Sequence, residues 1–122
     1  MHYAAKAYAK VAKEVAAPRD LEAALLLKAT AKLQAAYDSW DGNKPAGLEE
    51  ALAYNRRLWS VFIDAVQDDG NRLPIAARDN ITKLGAFVLG ETFALMTKPQ
   101  PQNLKSIIKI NRGVAAGLRG KN

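Results

Sequence analysis

The feature that most constrains this chain is an uninterrupted helical periodicity, cut only at a few clusters of proline, glycine and asparagine. Apolar residues recur every three or four positions, and 23 alanines fill the intervals with the strongest helix former. Breakers then fix the number of segments. The first runs from about Tyr3 to Val15 and stops before Pro18. The second runs from about Arg19 to Trp40, with Leu21, Leu25, Ala29, Leu33, Tyr37 and Trp40 as its stripe, and ends at Asp41-Gly42-Asn43-Lys44-Pro45. The third, about Leu48 to Asp68, carries Leu48, Leu52, Trp59, Phe62, Ile63 and Val66 on its apolar face. The fourth spans roughly Pro74 to Thr97 on a stripe of Ile81, Leu84, Val88, Thr92 and Leu95. Its run Gly85–Gly90 resembles a strand in isolation, but the flanking period makes it helix. After Lys98-Pro99-Gln100-Pro101, a fifth segment runs from about Asn103 to Arg119, with Leu104, Ile107, Ile108, Val114, Ala115 and Leu118 facing inward. Five helices with short connections predict an all-α fold, a compact antiparallel bundle forming one domain over residues 1–122.

Composition narrows the function classes. The chain has no cysteine, which excludes disulfides and thiolate metal sites. Its longest apolar runs fall far short of the roughly 20 residues of a membrane span. The start lacks a basic region followed by an apolar stretch, so no signal peptide is expected and a cytoplasmic location is the default. The net charge of +6 is unevenly placed. Residues 1–97 balance 12 basic with 12 acidic side chains, whereas residues 98–122 hold six basic and no acidic ones. Lys105, Lys109, Arg112 and Arg119 form a stripe suited to an acidic partner, a nucleic acid or plain solvation.

Catalytic patterns are missing. His2 is the single histidine, and Ser39, Ser60 and Ser106 lie in no nucleophile motif. Glu49-Glu50 sit where carboxylates favour a helix start. Asp68-Asp69-Gly70-Asn71 lacks the alternating ligands and closing glutamate of a calcium loop. Gly85 and Gly90 match no phosphate-binding pattern. A binding protein without enzyme activity, metal or cofactor is therefore expected.

Two asparagines stand out because they interrupt apolar stripes. Asn55 lies among Leu52, Trp59 and Phe62, and Asn111 among Leu104, Ile108 and Ala115. A buried amide is costly unless its hydrogen bonds are made. One arrangement has both bonding to neighbouring helices and fixing their register, as core asparagines do in coiled coils. The other has them lining a groove and bonding a partner's backbone. Internal bonding is the commoner solution. Trp59 and Phe62 read as core, whereas Tyr54, off that stripe, reads as an exposed contact residue.

The run Ala53-Tyr54-Asn55-Arg56-Arg57-Leu58-Trp59, then Asn71-Arg72-Leu73-Pro74 with Arg78 and Ile81, resembles the middle of the FlaF family. The ending Leu104, Ile107-Ile108-Lys109-Ile110-Asn111-Arg112 with Ala116-Gly117-Leu118-Arg119-Gly120 is similar to that family's C-terminal motif, and Tyr3–Tyr8 and Pro18–Glu22 also fit. The resemblance implies a cytoplasmic, non-enzymatic bacterial flagellar protein. It implies binding of flagellin as a secretion chaperone and a functional link to FlbT, a regulator of flagellin messenger RNA. A bundle can perform such a role by taking an amphipathic segment into a groove between helices. We expect that groove beside the third and fifth segments, where Asn55 and Asn111 interrupt apolar surface, with Tyr54 and Trp59 supplying contact area and Arg57 and Arg112 pairing with acids at the rim. The alternative is an RNA-binding regulator using Lys6, Lys10, Lys13 and the C-terminal basic stripe.

Overall fold

A computed structural model describes residues 18–120. Four helices lie within them: α1 (Pro18–Asp38), α2 (Leu48–Gln67), α3 (Ile75–Thr97) and α4 (Pro101–Leu118). They correspond to the second through fifth expected segments, with ends shifted by one or two residues. Four of the five expected segments are thus found as helices among the described residues, and the first, Tyr3–Val15, lies outside them. The all-α class holds, and Gly85–Gly90 is helical.

The helix boundaries follow from local chemistry. Pro101 opens α4 at a position where a missing N–H is harmless. Glu49 and Glu50 occupy the first turn of α2 and favour its positive dipole end. Gly42 and Gly120 take positive φ, 77° and 73°, in the turns after α1 and α4. Each helix packs on its neighbours in sequence, and α4 closes the ring on α1. Short loops make those neighbours antiparallel, so α1 faces α3, and α2 faces α4, across the centre.

The core draws on every helix: Leu26 and Leu33 from α1, Trp59 and Phe62 from α2, Val88 and Leu95 from α3, and Leu104 and Ile107 from α4. Trp59 meets Phe62 edge-on, ring centroids 5.9 Å apart. Each helix also buries one polar residue: Thr30, Asn55, Thr92 and Asn111. The threonines satisfy themselves locally, Thr30 Oγ1 donating to Leu26 O at 2.7 Å and Thr92 Oγ1 to Val88 O at 2.8 Å. The asparagines instead bond between helices.

Candidate partner-binding surface

The six residues singled out from the sequence divide into two groups. Asn55, Trp59 and Asn111 are fully buried and bonded to one another across the α2–α4 diagonal. Trp59 Nε1 donates to Asn111 Oδ1 at 2.9 Å, and Asn111 Nδ2 donates to Asn55 Oδ1 at 2.8 Å. Within the described residues these three join two helices, which is the internal-bonding alternative their sequence positions allowed. The physical reason is that the tryptophan ring brings its own donor into the core, and Asn111 supplies the acceptor it needs. The chain of bonds ends at Asn55 Nδ2, a buried donor that finds no acceptor among the described residues.

Tyr54, Arg57 and Arg112 lie at the surface. Tyr54 is half-buried, with Lys32 Nζ 5.2 Å and Lys28 Nζ 6.0 Å from its ring centroid. Its ring ties α2 to α1 by cation–π contact. Arg112 Nη2 donates to Gln34 Oε1 of α1 at 3.0 Å, and Gln34 Nε2 donates in turn to Asp38 Oδ1 at 2.8 Å. Arg57 is exposed.

The loop between α2 and α3 is held by two further residues of the quoted motifs. Asn71 Nδ2 donates to Ala65 O at 3.0 Å, while its Oδ1 accepts from Leu73 N at 2.9 Å. Arg78 Nε donates to Val66 O at 2.6 Å and its Nη2 to Asp68 O at 3.1 Å. Carbonyls at the end of α2 are thereby satisfied from the loop by Asn71 and from α3 by Arg78.

Sequence reasoning missed the outer face of α3. Phe93 is 67% exposed and Met96 65%, and Phe87, farther round the helix, is 49% exposed. From Gly85 to Thr97 the one charged residue is Glu91, whose Oε2 accepts from Asn103 Nδ2 of α4 at 2.7 Å. Ala86, Gly90, Phe93 and Thr97, spaced by four, three and four, form an uncharged outward stripe. The available signal was that Phe87, Phe93 and Met96 fall off the stripe Ile81–Val88–Leu95. A helix apolar on every side gives no single inward face, and this one sits on the outside of a small bundle.

Beside that stripe, a groove of about 270 Å³ opens between α2 and α3. Leu48, Leu52, Leu95 and Met96 supply its apolar lining, with Lys44, Glu49 and Arg56 at the rim. Lys44 Nζ donates to Glu49 Oε2 at 2.7 Å. That bond, with the added charge attraction, holds the Glu49 carboxyl below the usual carboxylate range. Toward its other end the same seam is closed. A Cβ on Gly85 would stand 2.7 Å from Ile63 Cδ1 and 3.2 Å from Trp59 Cε3, so glycine is what lets the helices approach there. A Cβ on Gly90 would meet nothing within 4 Å. Glycine in a helix interior costs about 1 kcal/mol relative to alanine, and no contact within the described residues explains it at position 90.

Taken together, the described residues form an all-α arrangement of four helices with polar ties inside and an apolar face that none of them covers. Its sequence belongs to the FlaF family, described as flagellar protein FlaF, whose model matches residues 4–118. Comparisons with curated proteins and with solved structures give no match. The protein is therefore a flagellar one by family. No described helix is long and apolar enough to cross a membrane.

Proposed function

We propose that this protein is a non-enzymatic cytoplasmic chaperone that binds unpolymerised flagellin and so supports its production and export. The observation that carries the reading is the exposed pair Phe93 and Met96, adjoining the Leu48–Leu52–Leu95 groove on an uncharged helix face. Single exposed apolar residues are ordinary, but a contiguous patch beside a groove is the usual form of a protein-binding surface. Membership of the flagellar family supports a partner from the flagellar apparatus, and flagellin is the one proposed. Flagellin's terminal segments are amphipathic and self-associate when left uncovered, and an apolar face of this kind can cover one of them. A functional link to FlbT follows from the family resemblance and forms part of the proposal.

The test is calorimetric titration with purified monomeric flagellin at low and moderate salt, with flagellin leader RNA titrated in parallel. Saturable flagellin binding that survives moderate salt is expected, because apolar burial is little screened. Salt-sensitive RNA binding without flagellin binding would replace the chaperone by the RNA-binding regulator, acting through the basic stripe of α4.

A further inference from the structure

We propose that the outer face of α3 receives one amphipathic helix of its partner, crossing α3 over Gly90 with carboxylates on its flanks toward Arg56 on one side and Lys83 and Lys98 on the other. This rests on the reading that the face binds flagellin, and it adds the shape and charge of the segment that fits.

Shape comes first. At 3.6 residues per turn, Phe87 and Phe93 project about 120° apart around α3. Gly90, and Ala86 one turn before it, lie between them. The two rings therefore stand as walls on either side of a low strip of backbone. A helix laid in that strip approaches α3 at the short end of ordinary interhelical distances, about 8 Å. A side chain at position 90 would fill the strip. The glycine that has no role within the described residues acquires one here, as Gly85 has one on the inner side.

Charge selects the occupant. Arg56 on the α2 side, and Lys83 and Lys98 on α3 and its C-cap, are exposed and form no salt bridge among the described residues. Nearby acids are engaged, Glu49 by Lys44 and Glu91 by Asn103. Asp79, the remaining acid of the outer face, lies a turn before Lys83, beyond the bare stretch. A second copy of this chain fits poorly. Crossing antiparallel at Gly90, two α3 helices set Lys83 against positions 97 and 98, so lysine meets lysine. Crossing parallel, they set Lys83 against Lys83. An amphipathic helix with acidic flanks meets the same rim with attraction.

The experiment compares Gly90→Leu with Gly113→Leu in titrations of monomeric flagellin, using the full chain. Gly113 is equally open but lies on α4, away from the bare face. Gly90→Leu should weaken flagellin binding about tenfold or more, and Gly113→Leu should leave it within about twofold. Circular dichroism melts should show both variants folded. Combined Arg56→Glu, Lys83→Glu and Lys98→Glu should also weaken binding and remove its residual salt dependence. Unchanged affinity in Gly90→Leu would overturn the crossing geometry while leaving flagellin binding intact. Concentration-dependent dimers of the unsubstituted protein that Gly90→Leu abolishes would overturn it in favour of a second copy. Absence of flagellin binding by the unsubstituted protein would overturn the flagellin reading and this inference with it.

Discussion

The α2–α4 diagonal and the outer face of α3 invert the usual distribution of polarity in opposite directions. Along the diagonal, two carboxamides and an indole N–H are buried where aliphatic side chains would ordinarily pack. On α3, two phenylalanines and a methionine face outward where charges would ordinarily stand. The inner departure is bonded within the chain except at Asn55 Nδ2, which has no acceptor among the described residues, and it ties α2 to α4. The outer one is left open by the described residues. The contrast teaches that an atypical residue signals architecture when its contacts are made mainly within the chain, and recognition when it stands exposed without them.

Substitutions can break this contrast from either side, and the inner side should give the largest effect. Asn111→Leu removes the acceptor of Trp59 Nε1–H and the donor to Asn55 Oδ1, leaving both buried and unpaired. A loss of about 3 kcal/mol in urea unfolding is expected, since each stranded group costs roughly 1–3 kcal/mol. Replacing the whole network, with Asn55→Leu, Asn111→Leu and Trp59→Phe together, should recover much of that loss, because no polar group is then left unpaired. An equal or greater loss in the triple variant would mean that packing rather than polar satisfaction sets the cost.

The two glycines of α3 sharpen the comparison at smaller scale. Gly85→Ala drives a methyl group into Ile63 and toward Trp59, and should cost about 1–2 kcal/mol. Gly90→Ala enters open space and should stabilise the free protein by about 0.5–1 kcal/mol. Opposite signs in thermal melts are the check, and like signs would mean that inner and outer faces have been assigned wrongly.

The smallest effect is expected at Glu22, near the start of α1. Burial pushes its carboxyl above the ordinary carboxylate range, with Arg19 partly opposing the rise. A carboxyl raised on folding is penalised when ionised. Stability therefore falls as pH rises from the ordinary carboxylate pKa through the raised one, and the penalty is fully present above it. Glu22→Gln should raise the melting temperature modestly at neutral pH and leave it unchanged below the ordinary carboxylate range. A gain that persists at the lower pH would assign the effect to something other than ionisation.

Much of the fold was legible in the sequence because helical period and breaker residues are local signals. Pro18, the Asp41–Pro45 cluster, Asp69-Gly70-Asn71 and Pro99-Gln100-Pro101 mark the helix limits to within a residue or two. The odd polarity of Asn55 and Asn111 was equally legible, but not the fact that each meets the other. Their separation of 56 positions carries no sequence signal, and the pairing depends on α2 and α4 lying across the bundle. The candidate surface was less legible still. In α2 and α4 a strong apolar face announces which side is buried. In α3 apolar residues surround the helix, so Phe93 and Met96 look like core until packing shows that α2 and α4 cover only one side of it. Tyr54 was singled out as an exposed contact residue, yet two lysines of its own chain already lie over it.

The most direct test pairs the two regions in one measurement. Monomeric flagellin is titrated into the unsubstituted protein, into Phe93→Ser/Met96→Ser and into Asn111→Leu, with melting curves recorded for all three. The outer-face double variant should melt within a few degrees of the unsubstituted protein and lose flagellin binding. The core variant should melt much lower yet, while still folded, retain affinity. Flagellin binding by Phe93→Ser/Met96→Ser as tight as that of the unsubstituted protein would contradict the assignment of this face.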